Sequence, residues 1–106
     1  MNKLEKIAEQ IRKNFDSRTA ARDNALSQAR QLTRACSLAI RAVHRDETDT
    51  MNTHLQEARH LADTLRDSLT AYPDLFYTGY TQDALKEFVE ANVTCALIRN
   101  EPLQTP

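Results

Sequence analysis

The chain has 106 residues, enough for one domain, and 14 Lys and Arg stand against 15 Asp and Glu for a formal net charge of −1. So even a balance excludes bulk attraction to nucleic acid or to an anionic membrane, and any electrostatic partner has to be met by a local patch. A single glycine, three prolines and no tryptophan argue against a strand-rich fold, whose turns consume glycine, and for helices.

Residues 2 to 15 set Leu4, Ile7, Ile11 and Phe15 at helical spacing, which predicts a short amphipathic helix. Asp16 and Ser17 offer capping oxygens for a new start, the alternative being that the helix continues. Residues 18 to 45 form the longest expected element. Ala25, Ala29, Leu32, Cys36, Ala39 and Val43 make a coiled-coil-like seam, and its alanines allow a partner helix to approach closely. Arg30, Arg34, Arg41 and Arg45 lie along another face, with Arg18 and Arg22 expected to extend it backwards. Asp46 to Thr50 is acidic and rich in cap formers, and reads as a loop ending in an N-cap.

Residues 51 to 72 give the cleanest heptads: Met51, Leu55, Ala58, Ala62, Leu65, Leu69 and Tyr72. Pro73 stops that helix by pushing the preceding residue out of helical geometry. A compact aromatic turn holding the one glycine follows, with Thr81 as the expected cap of the next helix. That helix, Asp83 to Ile98, has its seam at Ala84, Phe88, Ala91, Cys95 and Ile98. The last residues, 100 to 106, read as a linker or an end. The expected fold class is all-α, an antiparallel helical bundle, in a single domain over 1–106.

Beside the last seam runs a stripe of carboxylates, Asp83, Glu87 and Glu90. Like charges three and four apart on a helix repel by a few tenths of a kcal/mol (~0.2–0.5) per pair. A cation, a basic partner helix or plain solubility would each account for them. From spacing alone, an acidic surface stripe or salt bridges to the arginines is the simpler account. The same holds for each arginine, which could pair with Asp83, Glu87, Glu90, Glu57 or Asp63 rather than with phosphate. His44 suits the negative C-terminal end of its own helix, and His54 and His60 read as surface residues. Tyr72, Phe76, Tyr77 and Tyr80 read as corner packing, with Tyr77 or Tyr80 partly exposed. No cysteine pair has a metal-type spacing and no glycine-rich phosphate loop is present, so nucleophilic catalysis, nucleotide hydrolysis and structural zinc have no support in the sequence. Cys36 and Cys95 read as buried thiols in a reducing compartment. With no 18-residue apolar run and no signal-peptide core, the expectation is a cytoplasmic protein without a membrane partner.

Four stretches taken together, RDNALSQARQLTRACSLAIRAVHR, HLQEARHLADTLRDSL, FYTGY and DALKEFVEA, resemble the translin family. The resemblance covers about Arg18 to Ile98, and AIRAVHR and KEFVEA are its most specific pieces. It implies the N-terminal half of the translin fold and binding of single-stranded RNA or DNA. It also implies a homo-oligomer, or a hetero-oligomer with a related subunit. In the family's X-type subunits a glutamate pair binds a divalent metal and supports RNA cleavage. Mapped here, that pair falls on Glu87 and Glu90, which makes them the implied catalytic and metal-binding residues. Asp83 is a weaker third ligand, and the implied ion is Mg²⁺ or Mn²⁺. Arg30, Arg34, Arg41 and Arg45 become the implied nucleic-acid contacts. Family members are longer, and a further active-site aspartate and much of the oligomer interface belong to their second half. The resemblance therefore implies half of a longer protein, or a short form completed by association. The function expected is that of a single-stranded nucleic-acid-binding protein with metal-dependent endoribonuclease activity. The alternative is a non-catalytic helical oligomerisation or assembly module.

Overall fold

The computed structural model describes residues 2–99, which leaves the reading of 100–106 outside the described residues. The first element, α1, is one uninterrupted helix over Lys3–His44. At 1.5 Å per residue its 42 residues run about 63 Å, nearly the full 67 Å length of the molecule. Of the two readings at Asp16–Ser17, a new start or a continuing helix, the structure shows the continuing helix. No glycine or proline interrupts the run, and a helix already propagating gains one backbone bond per added residue.

Side-chain and backbone caps set the ends of α1. The Asn2 side chain accepts from the Glu5 amide at 2.8 Å, satisfying one of the orphan donors of the first turn. At the far end Asp46 adopts φ 59°. The Glu47 amide then reaches the Ala42 carbonyl at 2.9 Å, and the Asp46 amide reaches that of Val43 at 3.2 Å. These two bonds are the paired closure of a Schellman stop, made with an aspartate where glycine is usual. The expected five-residue loop is thereby shortened, and α2 begins early, at Thr48–Ser68.

α2 also ends earlier than expected, with Leu69 as C-cap. Tyr72, held by Pro73 at φ −133° and ψ 70°, is non-helical as the following proline requires. A single turn, α3 (Pro73–Phe76), fills the corner. α4 spans Gly79–Ile98 with Thr78 at its N-cap. Thr81 is not the cap. It sits inside the helix, fully buried, and its hydroxyl donates to the Leu75 carbonyl at 3.2 Å.

α1, α2 and α4 make the bundle expected from the seams. The Ser68 hydroxyl donates to Gln28 Oε1 at 3.0 Å, so α2 runs back along the second half of α1. Arg99 Nη1 donates to Asn52 Oδ1 at 3.3 Å, so α4 runs antiparallel to α2 and parallel to α1. α1 packs on both. The main core gathers Ala25, Ala29, Leu32 and Cys36 of α1, Ala58, Ala62 and Leu65 of α2, and Ala84 and Ala91 of α4. Alanine is the commonest residue in it, which draws the helices close, while Leu32 and Leu65 supply bulk. A second cluster at the other end joins Ala39, Ala42, Val43, Met51 and Cys95. Among the described residues there is no strand and no helix apolar enough to cross a membrane.

The first third of α1 lies beyond this bundle. Leu4, Ile7, Ile11 and Phe15 are 75%, 49%, 63% and 67% exposed. The molecule measures 67 × 24 × 17 Å with a radius of gyration of 18.5 Å, against about 13 Å for a compact domain of this length.

Candidate functional site

The carboxylate stripe is placed by the phase of α4. At 100° per residue, Asp83, Glu87 and Glu90 fall within an arc of about 60°, to one side of the buried Ala84, Ala91 and Cys95. All three are exposed. Asp83 and Glu87 form one wall of a groove of about 480 Å³ between α4 and α1, together with Tyr80 and Ala84. Leu26, Ala29, Arg30 and Thr33 form the facing wall. Glu90 lies one turn past Glu87, outside the groove lining.

Glu87, on the groove wall, is near enough for its charge to be felt in the core. The Cys36 thiol is raised to about 11, first by burial, then by the negative charge of Glu87 and by Cys95. Burial also raises Cys95, against the opposing pull of the Arg99 cation. Both thiols are free and buried, the state expected for small hydrophobic core residues.

Arg30, Arg34, Arg41 and Arg45 also occupy an arc of about 60°, on the side of α1 away from the core. All four are exposed. Among the described residues none of them forms an ion pair with Asp83, Glu87, Glu90, Glu57 or Asp63. Glu57 instead stands beside His54 Nδ1 at 3.6 Å. Arg30 is the one member of the stripe that also reaches the groove. Arg18 and Arg22 do not extend this face. Their phase puts them on the core-seam side of α1, and Arg18 is bonded to Asp74 in α3.

The remaining residues singled out in the sequence take structural places. His44 is exposed in the last turn of α1, where a cation complements the helix dipole. Tyr72, Phe76 and Tyr80 pack against the main core, and the Phe76 and Tyr77 rings meet edge to face at 5.0 Å. Tyr77 is the exposed one, at 74%. The Arg59 guanidinium lies over the Phe88 ring at 5.8 Å, a cation–π contact between α2 and α4. The Tyr80 hydroxyl is buried and has no hydrogen-bond partner among the described residues. Sequence reasoning missed the groove itself. Its only trace there is that Tyr80, Asp83 and Glu87 recur at three and four residues.

No group of three or more His, Cys, Asp or Glu among the described residues is placed to hold a metal ion. A two-carboxylate site is a separate matter, since hard cations commonly take one or two protein carboxylates and complete their shell with water and substrate phosphate. Glu87 and Glu90 fit that pattern as exposed oxygen donors that form no ion pair among the described residues. The fold and the site together define an all-α antiparallel bundle with an acidic stripe and an arginine stripe on neighbouring helices. No family model, no curated protein and no solved structure matches the chain.

Proposed function

We propose that this chain is a translin-like subunit that binds single-stranded RNA or DNA, with metal-dependent endoribonuclease activity centred on Glu87 and Glu90. It acts in the cytoplasm, in an oligomer of its own copies or with a related subunit. One observation carries the reading: among the described residues the arginine stripe of α1 has no carboxylate partner, although its Arg30 shares a groove with Asp83 and Glu87 of α4. Four guanidiniums on one face, in no ion pair among the described residues, suit the phosphates of a strand, with affinity that falls steeply with salt. Arginine's planar fork favours phosphate over a single point contact.

In this reading Glu87 and Glu90 hold a Mg²⁺ or Mn²⁺ ion, with Asp83 one turn earlier as an auxiliary oxygen donor. Such an ion supplies activation of a water and neutralisation of charge at a phosphodiester. Arg30, at the groove edge, orients the backbone toward the carboxylates, and Arg34, Arg41 and Arg45 hold its register.

A second reading is a non-catalytic assembly module, favoured by the bare apolar face on the first third of α1. One experiment separates the two: binding of a fluorescent single-stranded RNA across a salt series, with and without Mn²⁺, followed on a denaturing gel. Salt-sensitive binding with Mn²⁺-dependent shortening is expected. Binding without shortening removes the nuclease and leaves a carrier. No binding at any salt overturns the nucleic-acid reading altogether.

A further inference from the structure

The exposed stripe Leu4, Ile7, Ile11 and Phe15 is the same seam that builds the core. Leu4, Ala8, Ile11 and Phe15 are spaced four, three and four, like Ala25 to Val43 further on. Phe15 joins Ala25 through Arg18 and Arg22 at spacings of three, four and three, so the register never breaks. α2 and α4 cover this seam only in the second half of α1. Where they end, Asp74 ties Arg18 to the corner. Beyond it about 15 residues of helix, some 22 Å, carry heptad-patterned apolar residues that no element among the described residues covers.

We infer that this arm pairs antiparallel with the arm of a second copy of the chain. Three observations select that occupant. The first is continuity, because an uncovered stretch in the register of a helix-packing seam is shaped for another helix. The second is charge. An antiparallel partner that sets Leu4 against Phe15 and Ala8 against Ile11 brings each Glu5 beside the second copy's Arg12, twice across the two-fold axis. The Glu9–Lys13 pair, at 3.8 Å, lies on the outer side of the helix. Such self-complementarity is what an isologous dimer requires. The third is area. The chain exposes 7552 Å² where a compact monomer of its mass exposes about 6,000 Å². That surplus exceeds the ~800 Å² each partner gives to a standard interface.

This inference deepens the assembly part of the preceding proposal by naming the surface. It uses neither the acidic stripe nor the arginine stripe, so each can fail without the other. The test is the mass of the full chain in solution, by sedimentation equilibrium over a concentration series without nucleic acid. A dimer is expected for the wild type, and a monomer for Ile11→Asp with the bundle's thermal transition retained. Glu5→Arg should weaken the dimer about tenfold, and adding Arg12→Glu should restore it, because the two signs are then exchanged. A wild type that stays monomeric overturns the inference. So does an Ile11→Asp variant that still dimerises, which places the interface elsewhere. A monomeric wild type that pellets with anionic phospholipid vesicles assigns the arm to a lipid surface and overturns it too.

Discussion

Arg18 and Asp74, 56 positions apart, meet at the point where the bundle ends and the arm of α1 begins. Nη1 donates to Oδ1 at 3.3 Å, and Nη2 donates to Oδ2 of the same carboxylate. Both side chains are about half exposed, at 49% and 58%, so water and salt screen the pair. Asp74→Asn should therefore lower the unfolding free energy by less than about 1 kcal/mol. The deficit should shrink at high ionic strength. Urea denaturation at two salt concentrations measures both effects, and an unchanged deficit in high salt would mean that the contact works by packing rather than by charge.

The core predicts a sharper response. Leu65 is wholly buried between alanine-lined helices, so little bulk stands ready to refill its space. Leu65→Ala should cost about 2–5 kcal/mol, a large share of the 5–15 kcal/mol typical of a domain. Ala25, also at zero exposure, tests the opposite error. Ala25→Leu should destabilise by about 1–3 kcal/mol through overpacking. Thermal melts of the two variants decide whether the alanine seam sets the helix spacing.

Cys36 makes stability depend on alkaline pH. Its thiol is raised from 9.0 to about 11 in the folded chain, so the folded state keeps this proton where the unfolded state loses it. Unfolding then releases a proton between pH 9 and 11, and stability falls as pH rises through that window. Keeping that proton up to about pH 11 instead of 9 corresponds to about 2–3 kcal/mol. Cys36→Ala should remove this part of the slope, read as the difference in unfolding free energy between wild type and variant at pH 8, 9 and 10. Alkylation of Cys36 in the folded protein should be slow below pH 10 and fast after denaturation.

The arginine stripe makes a prediction in which position matters more than charge. Arg41→Ala and Arg45→Ala should each weaken binding of single-stranded RNA and reduce the slope of log affinity against log salt by about one. Arg18→Ala removes the same charge from the seam side of the helix and should leave that slope unchanged. Glu87→Gln and Glu90→Gln should abolish Mn²⁺-dependent shortening while RNA binding and helix content stay as in the wild type. Equal loss of slope from all three arginine variants would show that only net charge is felt.

Much of the site was legible as spacing. The arc that gathers Arg30, Arg34, Arg41 and Arg45, and the arc that gathers Asp83, Glu87 and Glu90, both follow from 3.6 residues per turn. Whether the two arcs neutralise one another was not legible, because that depends on how two helices are rotated about their axes. In the structure they meet at the groove around Arg30. Thr81 shows the same boundary in miniature. Its residue type suits an N-cap, and Thr78, three residues earlier and equally suited, holds that place once the aromatic corner is packed.

The sequence by itself determined the helices, their apolar seams and the corner before Pro73. Those depend on periodicity, capping chemistry and the geometry of proline, all of which act within a few residues. Only the tertiary structure decided which part of each seam is covered. α2 and α4, with 21 and 20 residues, are each about half as long as the 42-residue α1. Two short helices laid side by side on one end of a long one leave its other end bare. That mismatch of lengths turns a seam that looks like core along its whole run into a core at one end and an exposed arm at the other.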